Sequence, residues 1–340
     1  MKTNLYKTAR TLAVLLFLCL PPSTVQAQVC FSYVTNAGTI TITRGCGCSG
    51  ALTIPDTIDG LPVTGIADGA FFFCGGLTPR SITIPDSVTS IGARAFADCN
   101  TLTNVWFGSG VTNIGNAAFQ DCFGLTSVTI PGGVTTIAEG PFRGCRGLTN
   151  VTFGNGLTSI GVEAFAGCTS LTRIMFPESL TNLAKGAFES CTSLTGVTIP
   201  SGVTYMAAFS FCSSLTAIYC QGNAPSFDEP RSFEGTYATV YYLPGTTGWG
   251  PTYGWLSTAP WQLPYPVILG FEPSFGVQSN SFGFVISWAT NVSVVVEACT
   301  NLADPIWSPV GTNGLTDGWC YFSDPQWTNY PARCYRVRSP

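Results

Sequence analysis

Histidine is absent from all 340 residues. That excludes Ser–His and Cys–His nucleophile activation, imidazole general bases and imidazole metal ligands. Charge is nearly as scarce: 9% of residues are charged, with no long run of one sign. Lys185 is the only lysine after Lys7. No phosphate-binding loop, dinucleotide fingerprint or nucleophile elbow occurs. An enzyme built from this chain would have to rely on carboxylates, Tyr, Lys or Cys. These shortages leave a weakly charged chain rich in Gly, Ser, Thr and apolar residues, a composition that folds.

The N-terminus reads as an export signal over residues 1–27. Lys2, Lys7 and Arg10 form a basic start, "TLAVLLFLCL" (11–20) is an apolar run, and "VQA" (25–27) offers small residues for cleavage after Ala27. The run is too short for an ordinary membrane-spanning helix, and no later stretch qualifies. Removing Lys2, Lys7 and Arg10 from the 14 Lys and Arg leaves 11 against 18 Asp and Glu, a net charge of −7. Nucleic acid and anionic membrane surfaces are therefore poor partners.

The body of the chain repeats. A Phe followed three residues later by a Cys recurs at Phe71, Phe96, Phe119, Phe142, Phe165, Phe188 and Phe209, with a central spacing of 23 residues. Between the cysteines lies a second pattern, as in "LTSVTIPGGVTTI" (125–137). Leu125, Val128 and Ile130 alternate there with Ser127 and Thr129, which predicts a short strand with one buried face. The return path, as at "AEGPF", has room for about one helical turn. One such unit cannot bury its own apolar side, but stacked units can. Eight strand-like segments centre on Thr53, Thr83, Trp106, Thr129, Thr152, Met175, Thr198 and Tyr219. At ~4.8 Å per coil they predict a parallel-strand solenoid roughly 35–40 Å long.

The run "LTSVTIPGGVTTIAEGPFRGC" resembles the leucine-rich repeat of BspA-like bacterial surface proteins, a match over roughly residues 50–245. "GLPVTGIADGAF" (60–71) is similar to the usual first repeat of that family and "ATVYYLPGTTGW" (238–249) to its closing coil. One departure is that Gly133 and Gly156 stand where an Asn or Cys usually follows the strand; here the Cys sits on the return side. The resemblance implies a non-enzymatic secreted or cell-surface protein that binds host, matrix or neighbouring-cell molecules.

The flanks complete the expected architecture. "FSYVTNAGTITIT" (31–43) predicts a hairpin turning at 36–38, a cap over residues 28–50 that covers the open edge of the first coil. The solenoid is expected over 51–222, its closing cap and linker over 223–262, and a small antiparallel, sandwich-like β domain over 263–340.

The seven Phe-linked cysteines could pack, pair along the ladder or bind metal. Equivalent side chains on adjacent coils point the same way and keep their Cβ atoms further apart than a disulfide prefers, and a linear stack does not converge on a metal. Packing beside the Phe is the expected role. The better disulfide candidates are Cys30 with Cys46 or Cys48 in the hairpin, and Cys320 with Cys334 on expected neighbouring strands.

For function, the outward strand positions matter most. They are mostly small hydroxyl residues, with no Asp or Glu among them. Asn104, Trp106, Arg173, Met175 and Tyr219 stand out as a candidate ligand-binding face, since Trp, Tyr and Arg are types that anchor interfaces. No catalytic, metal or cofactor residue is expected. The expected partner is an extracellular protein or glycan. Two alternatives stay open: a passive envelope or matrix component, and a carbohydrate-active solenoid enzyme, which the lack of strand-face carboxylates disfavours.

Overall fold

The structure, a computed structural model, describes residues 30–46, 50–72, 79–228, 230–270, 275–278 and 281–340. The export signal expected at 1–27, Cys48 and Cys74 lie outside them. The chain divides into two compact units, one ending at Leu171 and one beginning at Thr172. No α-helix occurs among the described residues.

The first unit opens with the hairpin. Cys30–Asn36 pairs antiparallel with Thr39–Cys46, and Cys30 stands opposite Cys46 in the register. Ala37 (φ 48°) and Gly38 (φ 80°) take the left-handed conformations that a two-residue turn needs to match strand twist. Thr39–Cys46 then pairs parallel with Leu61–Ile66. The expected hairpin is therefore present, and it joins the return-side sheet that runs on through Ser90–Ile91 and Asn113–Ile114. The opposite side is a 5-stranded parallel sheet of Gly50–Thr53, Pro79–Ile84, Asn104–Phe107, Ser127–Thr129 and Asn150–Thr152. These strands are short because each turns at a Pro or Gly after three to six residues.

The core of this unit is a column of rings. Phe71, Phe96, Phe119, Phe142 and Phe165 are fully buried, and successive rings stack at 4.8, 5.1, 5.5 and 5.2 Å within 10° of parallel. Burying each ring contributes about 1.5–3 kcal/mol, and each stacked pair about 0.5–1.5 more. Two tight corners hold each Phe in place. Two residues before it the backbone is left-handed at Gly69, Arg94, Ala117, Gly140 and Glu163 (φ 52–62°). It is left-handed again just before the Cys, at Asp98, Asp121, Gly144 and Gly167 (φ 57–73°). The helical turn allowed on the return path is replaced by these corners, because coil-to-coil bonds such as Phe96 N–H to Ala118 O (2.7 Å) and Phe119 N–H to Pro141 O (2.8 Å) satisfy the backbone instead.

The second unit continues the same grammar. Gly196–Ile199, Ala217–Cys220, Thr239–Tyr242 and Leu256–Pro260 pair in parallel, one after another. The strand expected at Met175 is reduced to a single bridge, Met175 to Thr198. Pro177 does not account for this, since Pro85, Pro131 and Pro200 stand at the same place after full strands. Phe188 and Phe209 stack at 5.7 Å. Beyond the closing coil, two antiparallel sheets face each other. One contains Val267–Leu269, Gly276–Gln278, Ser281–Ser287 and Trp319–Asp324, the other Val292–Cys299, Ser308–Leu315 and Cys334–Arg338. Phe284, Ile286, Val294, Val296, Leu315 and Phe322 form the core between them. This is the sandwich-like architecture the strand alternation predicts.

Candidate binding face

In the first unit, in-register pairing lines up outward side chains from coil to coil. Thr53 stands beside Thr83 and Thr83 beside Trp106. The Asn104–Ser127 register sets Thr129 on the far side of Trp106, and Thr152 follows Thr129. A parallel row runs through Ser81, Asn104, Ser127 and Asn150. Trp106 is thus one large aromatic in a row of threonines, 53% exposed. Burial alternates strictly around it: Val105 is buried while Trp106 faces out. A cleft of about 590 Å³ opens beside it, lined by Asn104, Trp106, Ser109, Ser127, Thr129 and Gly132 among others.

In the second unit the equivalent row is Met175, Thr198, Tyr219 and Tyr241. Met175 is 81% exposed. Arg173, two residues earlier, is exposed and makes no ion pair among the described residues. The Tyr219 ring stacks on Tyr241 at 5.1 Å and leans on Trp261 at 4.9 Å. The row next to it is made of small residues, Gly196, Ala217 and Thr239. The structure therefore brings Asn104 together with Trp106, and Met175 into one row with Tyr219. Tyr241 and Trp261 extend the face beyond the five residues picked from sequence. Their signal was present, because "ATVYY" aligns its Tyr with that of "LTAIYC" once the lost Cys is ignored.

Three carboxylates of the first unit serve structure. Asp68 accepts the Ala93 N–H at 2.7 Å, and Asp86 accepts the Ser109 N–H at 2.6 Å and its hydroxyl at 3.0 Å. Glu163 pairs with Arg143 on the neighbouring coil. Each braces one coil to the next. Among the described residues, no group of three or more Cys, Asp or Glu could hold a metal.

The cysteine column is packing. Cys99, Cys122, Cys145, Cys168, Cys191 and Cys212 are buried thiols outside any disulfide. The Cys122, Cys145 and Cys168 thiols donate to the carbonyls of Phe96, Phe119 and Phe142 at 3.2, 3.2 and 3.3 Å. Cys212 donates to Phe188 O at 3.1 Å. Burial pushes the Cys145 and Cys212 thiols up to about 12, and Cys122 rises well above the usual thiol range for the same reason. A thiol held neutral is a poor nucleophile and a poor metal ligand.

The expected Cys320–Cys334 pair needs correction. Both thiols are free, and their strands belong to different sheets. Cys320 stands opposite Ile286, while Cys334 stands opposite Cys299, another free thiol. Strand alternation alone does not reveal which strands become neighbours.

Among the described residues no helix is long and apolar enough to cross a membrane. No curated protein matches the chain. Among solved structures it is similar to a T. pallidum leucine-rich repeat protein, 26% identical over 65% of this chain and 86% of that one, TM-score 0.41. It is also similar to a leucine-rich cell surface protein of Faecalibacterium prausnitzii, 25% identical over 66% and 76%, TM-score 0.41. A leucine-rich repeat protein of Bacteroides capillosus is 32% identical over 38% of this chain and 96% of its own, TM-score 0.33. The family model of the BspA type leucine-rich repeat region matches 6 copies across residues 64–165 and 135–246, more than half of the chain. With its Phe–Cys period, parallel coils and this match, the chain belongs to the BspA-type leucine-rich repeat family.

Proposed function

We propose that this protein works outside the cell as a non-enzymatic binder, meeting an extracellular protein or glycan through its outward strand positions. Residues 1–27 act as the export signal in this reading, and the C-terminal β domain serves as a spacer or anchor. The observation that carries the proposal is the exposure of Trp106 (53%) and Met175 (81%) at outward positions of their coils, each beside a Thr of a neighbouring coil. Trp and Met are residue types enriched at protein interfaces.

The test is a screen of the mature chain against immobilised glycans and extracellular proteins. The control replaces Trp106, Arg173, Met175 and Tyr219 together by Ala. The proposal expects saturable binding to at least one target, lost in the quadruple variant. A passive matrix component would give no saturable target, and an enzyme would give turnover of one.

A further inference from the structure

The cleft beside Trp106 points to a narrower ligand class. We infer that it is a subsite for a neutral oligosaccharide, a step that rests on the binding reading above and specifies its chemistry.

Three observations in the first unit converge. First, the Trp106 indole is exposed and hydrogen-bonds to nothing among the described residues, so its flat apolar face is available to the C–H face of a sugar ring.

Second, hydrogen-bonding groups next to it are unused. The hydroxyls of Thr103, Thr126 and Thr149 donate to carbonyls of the preceding coil at 2.8, 3.3 and 3.0 Å. Asn104, Ser127 and Thr129 line the cleft, and their side chains make no hydrogen bond among the described residues. They offer a donor–acceptor amide and two hydroxyls, which match sugar hydroxyls in either sense.

Third, every lining residue is uncharged. Asp86, which Ser109 approaches from the cleft wall, is already engaged by the Ser109 N–H and hydroxyl. A phosphorylated, sulfated or sialylated ligand would meet no cation there, and a charged peptide would meet no counter-charge.

Size fits as well. At about 590 Å³ the cleft lies in the range of small-ligand sites. Its wall is kept low by Gly132, where an added Cβ would meet nothing within 4 Å. Because Gly132 lines the cleft, a larger side chain there should narrow it, with no clash at its Cβ.

The experiment probes the mature chain with an array of neutral cello-, malto-, manno- and chito-oligosaccharides, with sialylated and sulfated glycans alongside. The best neutral binder is then titrated calorimetrically. Trp106→Ala and Gly132→Leu should each weaken it at least tenfold, Trp106→Phe should weaken it less, and replacing exposed Phe123, away from the outward rows, by Ala should leave it unchanged. Circular dichroism and thermal melting check that each variant folds. Absence of neutral-glycan binding, restriction of binding to anionic glycans, or neutral-glycan binding that survives both Trp106→Ala and Gly132→Leu would each overturn the inference. A Trp106-dependent extracellular protein ligand with no glycan binding would overturn it too, yet leave the wider binding reading standing. No saturable ligand of either kind would remove both.

Discussion

Replacing Cys145 by Ala should destabilise the protein at neutral pH and do so progressively less as the pH rises. Cys145 is fully buried, and its thiol donates to Phe119 O at 3.2 Å. Removing it loses burial comparable to one methylene, about 0.8 kcal/mol, and a hydrogen bond worth about 0.5–1 kcal/mol net. The expected cost at pH 7 is therefore about 1.5 kcal/mol. Burial holds this thiol at about 12 in the folded chain, against an ordinary value of 9.0. Because the folded value is raised, the wild-type contribution is complete below pH 9 and is lost as the pH climbs toward 12. The loss is about 1.4 kcal/mol per pH unit in that window. By about pH 10 the wild type should have forfeited its advantage over Cys145→Ala. Urea unfolding of both proteins under reductant at pH 7, 9, 10 and 10.5 reads this directly. A gap that stays constant over that range would refute the reasoning, since it would mean that the thiol is not held neutral by burial.

Other consequences follow from the same contacts. Phe119→Ala removes a ring stacked between Phe96 and Phe142 and edge-on to Phe107, and should cost about 3–5 kcal/mol in urea unfolding. Gly140→Ala adds a Cβ with room around it (the nearest group is Arg143 Cβ at 3.6 Å) but at φ +60°, so only backbone strain of about 1 kcal/mol should appear. Hydrogen bonds from Arg338 and Arg336 hold the Glu297 carboxyl below the usual range. That contribution is present above the unfolded value near 4.5 and is lost as the pH falls through the folded one. The stability difference between wild type and Glu297→Gln at pH 7 should therefore shrink toward pH 3, as read by chemical denaturation.

What could be read from the sequence was whatever repeats. The Phe–Cys period places the buried column, and the alternation around Ser127 and Thr129 places the outward rows. Both depend on local spacing, which a solenoid turns directly into contacts between neighbouring coils. Three features were not legible. Arg94, Ala117 and Glu163 carry no turn signature, yet the corner that seats each Phe forces them left-handed. Met175 has the spacing of a strand but keeps only one bridge, although its coil carries the same Pro as coils with full strands. In the C-terminal β domain no period exists, so the partner of Cys334 depends on strand order. That order put Cys299 opposite it and Cys320 in the other sheet. Within the candidate face, Trp106 and Met175 were visible as departures from a small-residue pattern. Tyr241 escaped because its coil has lost the Cys that marks the repeat.

The central claim is that the outward strand positions meet the ligand while the Phe–Cys side only holds the coils together. Hydroxyl-radical footprinting tests it most directly, since Trp and Met side chains are strong reporters and both are exposed at the proposed contact. With the best ligand from the binding screen present at saturation, oxidation of Trp106 or Met175 should fall several-fold, while exposed Phe72, Phe123 and Trp319 away from the outward rows stay unchanged. Protection confined to Phe72, Phe123 or Trp319, with Trp106 and Met175 oxidised as in the free protein, would contradict the account.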